Sequence, residues 1–157
     1  MDDLRAALAL ALGLQETFQA HSAYVNLTFA LSTVDPVVAL EVADEGIAFA
    51  SARGVSPVVK VARQWALLFL GRWDELLEAG RGLVSVAESL GDRWLVGYAA
   101  APMALVLTRR GVTDAATEMT RTSSSEVTKH LFNTPPIVAH RTRGELEDAE
   151  RLLEGVY

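Results

Sequence analysis

GRWDELLEAGRGLVSVAESLGD, residues 71–92, reads as one amphipathic helix set between two turns. Apolar or small side chains fall at Trp73, Leu76, Leu77, Gly80, Leu83, Val84, Ala87 and Leu90. Steps of three and one draw a single stripe on a helix of about 3.6 residues per turn. Asp74, Glu75, Glu78, Arg81 and Glu88 lie off that stripe. Gly91 follows as a stop, because glycine adopts the left-handed conformation that closes a helix, and Asp92 follows as the cap of the next one.

The same punctuation recurs along the chain. Asp35-Pro36, Ser56-Pro57 and Thr134-Pro135 each place a capping side chain before a proline, whose missing N–H costs nothing in a first helical turn. Gly54 and Gly71 each end an apolar run. Strand signals are weak, and pairs such as Val58-Val59 sit within helical periods. The pattern predicts helices over 2–20, 22–32, 36–53, 57–70, 73–90, 93–110, 113–122, 136–143 and 145–155. Pro102 is expected to kink the sixth, and the Ser/Thr- and Pro-rich residues 120–136 are expected to form an irregular loop.

Gly71, Gly111 and Gly144 align as helix-to-helix turns, with Asp35 in the same place earlier, at intervals of 36, 40 and 33 residues. After Gly71 come Trp73, Leu76 and Ala79 at plus two, plus five and plus eight. After Gly144 come Leu146, Ala149 and Leu152. The plus-five side chain meets the preceding helix where the two approach closely, which favours a modest apolar residue. Tyr24, Leu27 and Leu31 form an apolar ladder before Asp35, as Ala100, Met103, Ala104 and Leu107 do before Gly111. Lys60, Arg63 and Gln64 break the ladder of the second unit.

These residues resemble the tetratricopeptide repeat, which pairs two helices over about 34 residues. The best local matches are Gly144-Glu145-Leu146-Glu147-Asp148-Ala149 and Gly71-Arg72-Trp73-Asp74-Glu75-Leu76. With Ala87-Glu88-Ser89-Leu90-Gly91-Asp92, the latter is similar to the degenerate C-terminal repeats of bacterial ATPase-type transcription activators and of adenylate or guanylate cyclases. The resemblance implies an all-α, right-handed solenoid of antiparallel helix pairs, about four units in a single domain over 1–157, belonging to a longer signalling protein.

Composition narrows the chemistry. Apolar residues make up 50% of the chain, enough to build a core. The net charge of −6 and the presence of only two lysines, Lys60 and Lys129, argue against a nucleic-acid surface. The Arg- and Ala-rich, Lys-poor usage resembles that of a GC-rich bacterial genome. No apolar run reaches the roughly 20 residues of a membrane helix. The apolar run from Ala6 to Leu14 follows an acidic Met1-Asp2-Asp3-Leu4-Arg5, against the positive start of a signal peptide, so a buried Ala/Leu helix and a cytoplasmic location are expected. With no cysteine, thiol chemistry is excluded. His130 and His140 have no recognised ligand spacing, Gly80-Arg81-Gly82 lies within a helix, and Ser123 to Ser125 have no elbow motif or nearby base. Neither an enzyme nor a cofactor or metal site is expected.

The expected role is therefore to hold a protein, a peptide or a neighbouring domain of the same chain. The resemblance places the groove on the first helices, at Phe29, Val61, Trp65, Phe69, Tyr98 and Leu105. Arg63, Arg109 and Arg141 read as solvated surface, with anion or carboxylate contact as the alternative. A small-ligand sensor with a pocket at Trp65, Phe69 and Trp94 is the alternative. The all-apolar first helix adds the expectation of a homodimer through a terminal helix.

Overall fold

A computed structural model describes residues 1–112, 114–116 and 119. The fold is all-α, with no strand among the described residues. Six helices follow one another: α1 (Asp2–Gly13), α2 (Thr17–Ser32), α3 (Pro36–Arg53), α4 (Val58–Phe69), α5 (Trp73–Ser89) and α6 (Arg93–Arg109). The helices expected at 136–143 and 145–155, most of 113–122, the loop at 120–136 and the Gly144 turn lie outside the described residues.

One turn chemistry is repeated at the C-terminal ends of five of the six helices. Residues Gln15, Gly54, Gly71, Gly91 and Gly111 all have positive φ. In each case the next residue's N–H reaches back to a carbonyl inside the helix: Glu16 to Ala11, Val55 to Ala50, Arg72 to Leu67, Asp92 to Ala87 and Val112 to Leu107, at 2.9–3.1 Å. This bond satisfies a terminal carbonyl and reverses the chain within a few residues. Asp35 and Asp92 then cap the following helices, accepting from the N–H groups of Val38 and Leu95. Ser56 is not a cap. Pro57 holds that position with no side-chain bond, while the Ser56 carbonyl accepts from His21 Nε2 at 2.9 Å.

The first helix corrects the sequence reading. A single helix over 2–20 is replaced by a corner at Leu14-Gln15-Glu16, and the break expected near residue 21 lies inside α2. Gln15 takes φ 58 there without a glycine to announce it. Nor is α1 buried: only Ala11 is, while Leu10 and Leu14 are exposed.

Two compact units make up the chain, Met1–Glu75 and Leu76–Tyr157, with the boundary inside α5. In the first, α2 packs against α1, α3 and α4, and α3 packs against α4. Connectors of three or four residues keep consecutive helices close in space. The core cluster joins Tyr24, Ala43 and Val59 from three helices, with Leu8 of α1, Val25, Val42, Ile47 and Phe49 packed around it. The predicted ladder of Tyr24, Leu27 and Leu31 is buried. In the second unit, Leu76, Leu77, Gly80, Leu83 and Ala87 form the buried stripe of α5 that the periodicity predicted, although Leu90 is exposed. Helix α6 runs unbroken through Pro102 and buries Ala100, Met103 and Ala104.

Candidate functional site

The six groove residues divide by exposure. Val61 on α4 is fully buried and offers no surface. Phe29 on α2 and Trp65 on α4 are half-buried. Phe69, one turn beyond Trp65, is 51% exposed on a helix whose neighbouring residues Ala66, Leu67 and Leu68 are buried. Tyr98 and Leu105 are half-buried in the second unit, where Tyr98 stacks on Trp94 with ring centroids 4.0 Å apart. The sensor residues are thus divided too, Trp65 and Phe69 in the first unit and Trp94 in the second.

Arg63 is not a free anion contact. Its Nε donates to Asp44 at 2.8 Å and its Nη2 to Glu75 at 3.0 Å, and Glu75 also accepts from Arg72. The break in the apolar ladder is therefore a tie between α3, α4 and the first turn of α5. Burial alone would raise the Glu75 carboxyl, but hydrogen bonds and charge from Arg63 and Arg72 outweigh it and hold the group below its ordinary 4.5. A carboxylate with a depressed folded-state pKa stabilises the fold above its unfolded pKa and loses that contribution as pH falls through the folded value. Glu75→Gln is expected to cost about 1 kcal/mol at pH 7, the scale of a partly exposed ion-pair network. The difference from wild type should shrink steadily below pH 4.5 in urea titrations. Arg109 is exposed at the end of α6, and Arg141 lies outside the described residues.

Sequence reasoning missed a cavity in the first unit. It measures about 440 Å³ and is lined by Ala11, Leu12, Gln15, Glu16, Thr17, Ala20, Phe49 and Arg53. It opens at the α1–α2 corner against the last turns of α3. Phe49 packs on Tyr24 with centroids 5.5 Å apart, and the Arg53 guanidinium lies 4.0 Å over the Phe49 ring. Burial, helped by Glu45 and opposed by Arg53, raises the Tyr24 phenol above its ordinary 10.0. A smaller cavity of about 60 Å³ lies between α3 and the start of α4, beside Ile47, Val55 and Lys60.

His21, the one histidine among the described residues, is engaged with Ser56, and His130 and His140 lie outside them. Among the described residues no three His, Cys, Asp or Glu side chains converge as metal ligands, and no helix is long and apolar enough to cross a membrane. Compared with models of known families, with curated proteins and with solved structures, the chain finds no match.

Proposed function

We propose that the chain is a non-enzymatic interaction module of the tetratricopeptide kind, holding a protein or peptide partner, or a neighbouring domain of the same chain, along α2 and α4. The observation that carries this reading is the packing of α2 against α4 as well as against its sequence neighbour α3. In a repeat of helix pairs, contact between successive first helices is what builds a continuous face. Phe69, half exposed at the end of α4, and Phe29 and Trp65, half-buried on α2 and α4, supply aromatic contact area. Aromatic anchors of this type dominate binding energy at protein interfaces. The bacterial regulatory setting is supported by the resemblance of residues 71–92 and by composition.

The test is selection of peptides from a displayed library against the folded chain, followed by affinity measurements on variants. Phe69→Ala and Phe29→Ala should each weaken a selected peptide about tenfold or more, corresponding to about 1.4 kcal/mol. Leu90→Ala, an exposed apolar site in the second unit, serves as the control and should leave affinity unchanged. Equal binding by all three variants would remove α2 and α4 as the docking face.

A further inference from the structure

We infer that the cavity at the α1–α2 corner is a binding site for a free α-amino acid with an apolar side chain. At about 440 Å³ it falls within the roughly 300–1,000 Å³ range of small-molecule sites. Its lining offers three kinds of surface to one occupant. Ala11, Leu12, Ala20 and Phe49 are the apolar residues of the lining, beside the polar Gln15 and Thr17. Arg53 supplies one positive group and Glu16 one negative group, and the two form no ion pair with each other.

The contrast between two arginines gives this arrangement its meaning. Arg63 is saturated by Asp44 and Glu75. Arg53, exposed at the end of α3, lies over the Phe49 ring and has no carboxylate partner among the described residues. A guanidinium placed over an aromatic ring still has N–H groups to offer the two oxygens of a carboxylate. Glu16 is likewise unspent: it stands at the N-cap of α2, yet its side chain makes no capping bond. A simple acid would suit Arg53 but would be repelled by Glu16, and an amine would suit Glu16 but leave Arg53 unmatched. A zwitterion with an apolar side chain answers both charges and the apolar residues together. The corner that brings Glu16 to the cavity depends on Gln15 in the left-handed region, a conformation costing a non-glycine residue about 1–3 kcal/mol. This inference does not depend on the peptide groove of α2 and α4, and the two are tested by different variants.

The experiment is calorimetric and NMR titration of the full chain with L-leucine and L-phenylalanine, beside N-acetyl-leucine and leucinamide. The free amino acids are expected to bind, and both blocked forms to bind at least about tenfold more weakly. Arg53→Gln and Glu16→Gln should each lose about tenfold in affinity, with the far-UV circular dichroism and melting point of wild type. Phe69→Ala should bind the amino acids normally. The inference is overturned by any of three results: no saturable binding up to about 10 mM, blocked forms binding as well as free ones, or full affinity in Arg53→Gln.

Discussion

Gly46→Val is expected to destabilise the chain by about 3 kcal/mol and to lower its melting point by roughly 10 °C. Gly46 is buried in the middle of α3, where an interior glycine would ordinarily be a weakness worth about 1 kcal/mol against alanine. Here the missing side chain is what lets three helices meet. A Cβ at this position would stand 2.9 Å from both Cβ and Cγ of Tyr24 on α2, and 3.0 Å from Cγ1 of Val59 on α4. The Tyr24 atoms are the stem of a buried ring already packed on Phe49, so they cannot swing aside as a flexible tip would. Relief requires α2 and α3 to move apart, loosening the Tyr24, Ala43 and Val59 cluster that both helices share. Gly46→Ala meets the same clash but regains helix propensity, so its loss should be smaller. Valine adds two further methyl groups and regains less. Gly82 in α5 is the matched control: nothing lies within 4 Å of its would-be Cβ, and Gly82→Ala should stabilise by up to about 1 kcal/mol. Thermal melts followed by circular dichroism decide the matter. A Gly46→Val protein melting with wild type would mean that α2 and α3 do not approach this closely in solution.

Gly46 also marks what the sequence could and could not convey. The turns at Gly54, Gly71, Gly91 and Gly111 were legible because a glycine after an apolar helix has one common use, the positive-φ end of that helix, and all four have it. Boundaries between 36 and 109 fell within one residue or so for the same reason. The corner after α1 was illegible because Gln15 does the glycine's work, and periodicity alone carried the apparent helix across it. A glycine inside a helix gives no sign of whether it is a defect or a contact, and nothing in the sequence around Gly46 decides between the two. Residue type likewise failed to rank the groove: Val61 and Phe69 both read as apolar residues of a first helix, yet one is fully buried and the other half exposed. The corner cavity could not be foreseen at all. Its lining comes from α1, the α1–α2 turn, the start of α2 and the end of α3, and periodicity alone renders that turn as helix. What the sequence did flag correctly was chemical oddity, at Lys60, Arg63 and Gln64. Lys60 is simply exposed, Arg63 is resolved by its two carboxylates, and Gln64 is left over.

Gln64→Met is expected to stabilise the chain by about 1–2 kcal/mol and raise the melting point by several degrees. Gln64 is 1% exposed, and neither its Nε2 nor its Oε1 has a hydrogen-bond partner among the described residues. An unpaired buried polar group costs roughly 1–3 kcal/mol in lost hydration, and this side chain carries two. Methionine keeps nearly the same volume and an unbranched shape while removing both, so the gain comes without a cavity or a clash. Gln64→Ala removes the same amide but leaves a void, and the loss of packing should cancel most of the benefit. The order expected in urea denaturation is therefore methionine above wild type, with alanine near or below it. The neighbouring case points the same way: Thr28 on α2 is fully buried with its hydroxyl unpartnered, and Thr28→Val should also stabilise, by about 1 kcal/mol. Loss of stability in Gln64→Met would carry its own conclusion. It would mean that the amide is satisfied in solution, by an ordered water or a bound group, and that the break in the apolar ladder at Gln64 is a polar site rather than a tolerated flaw.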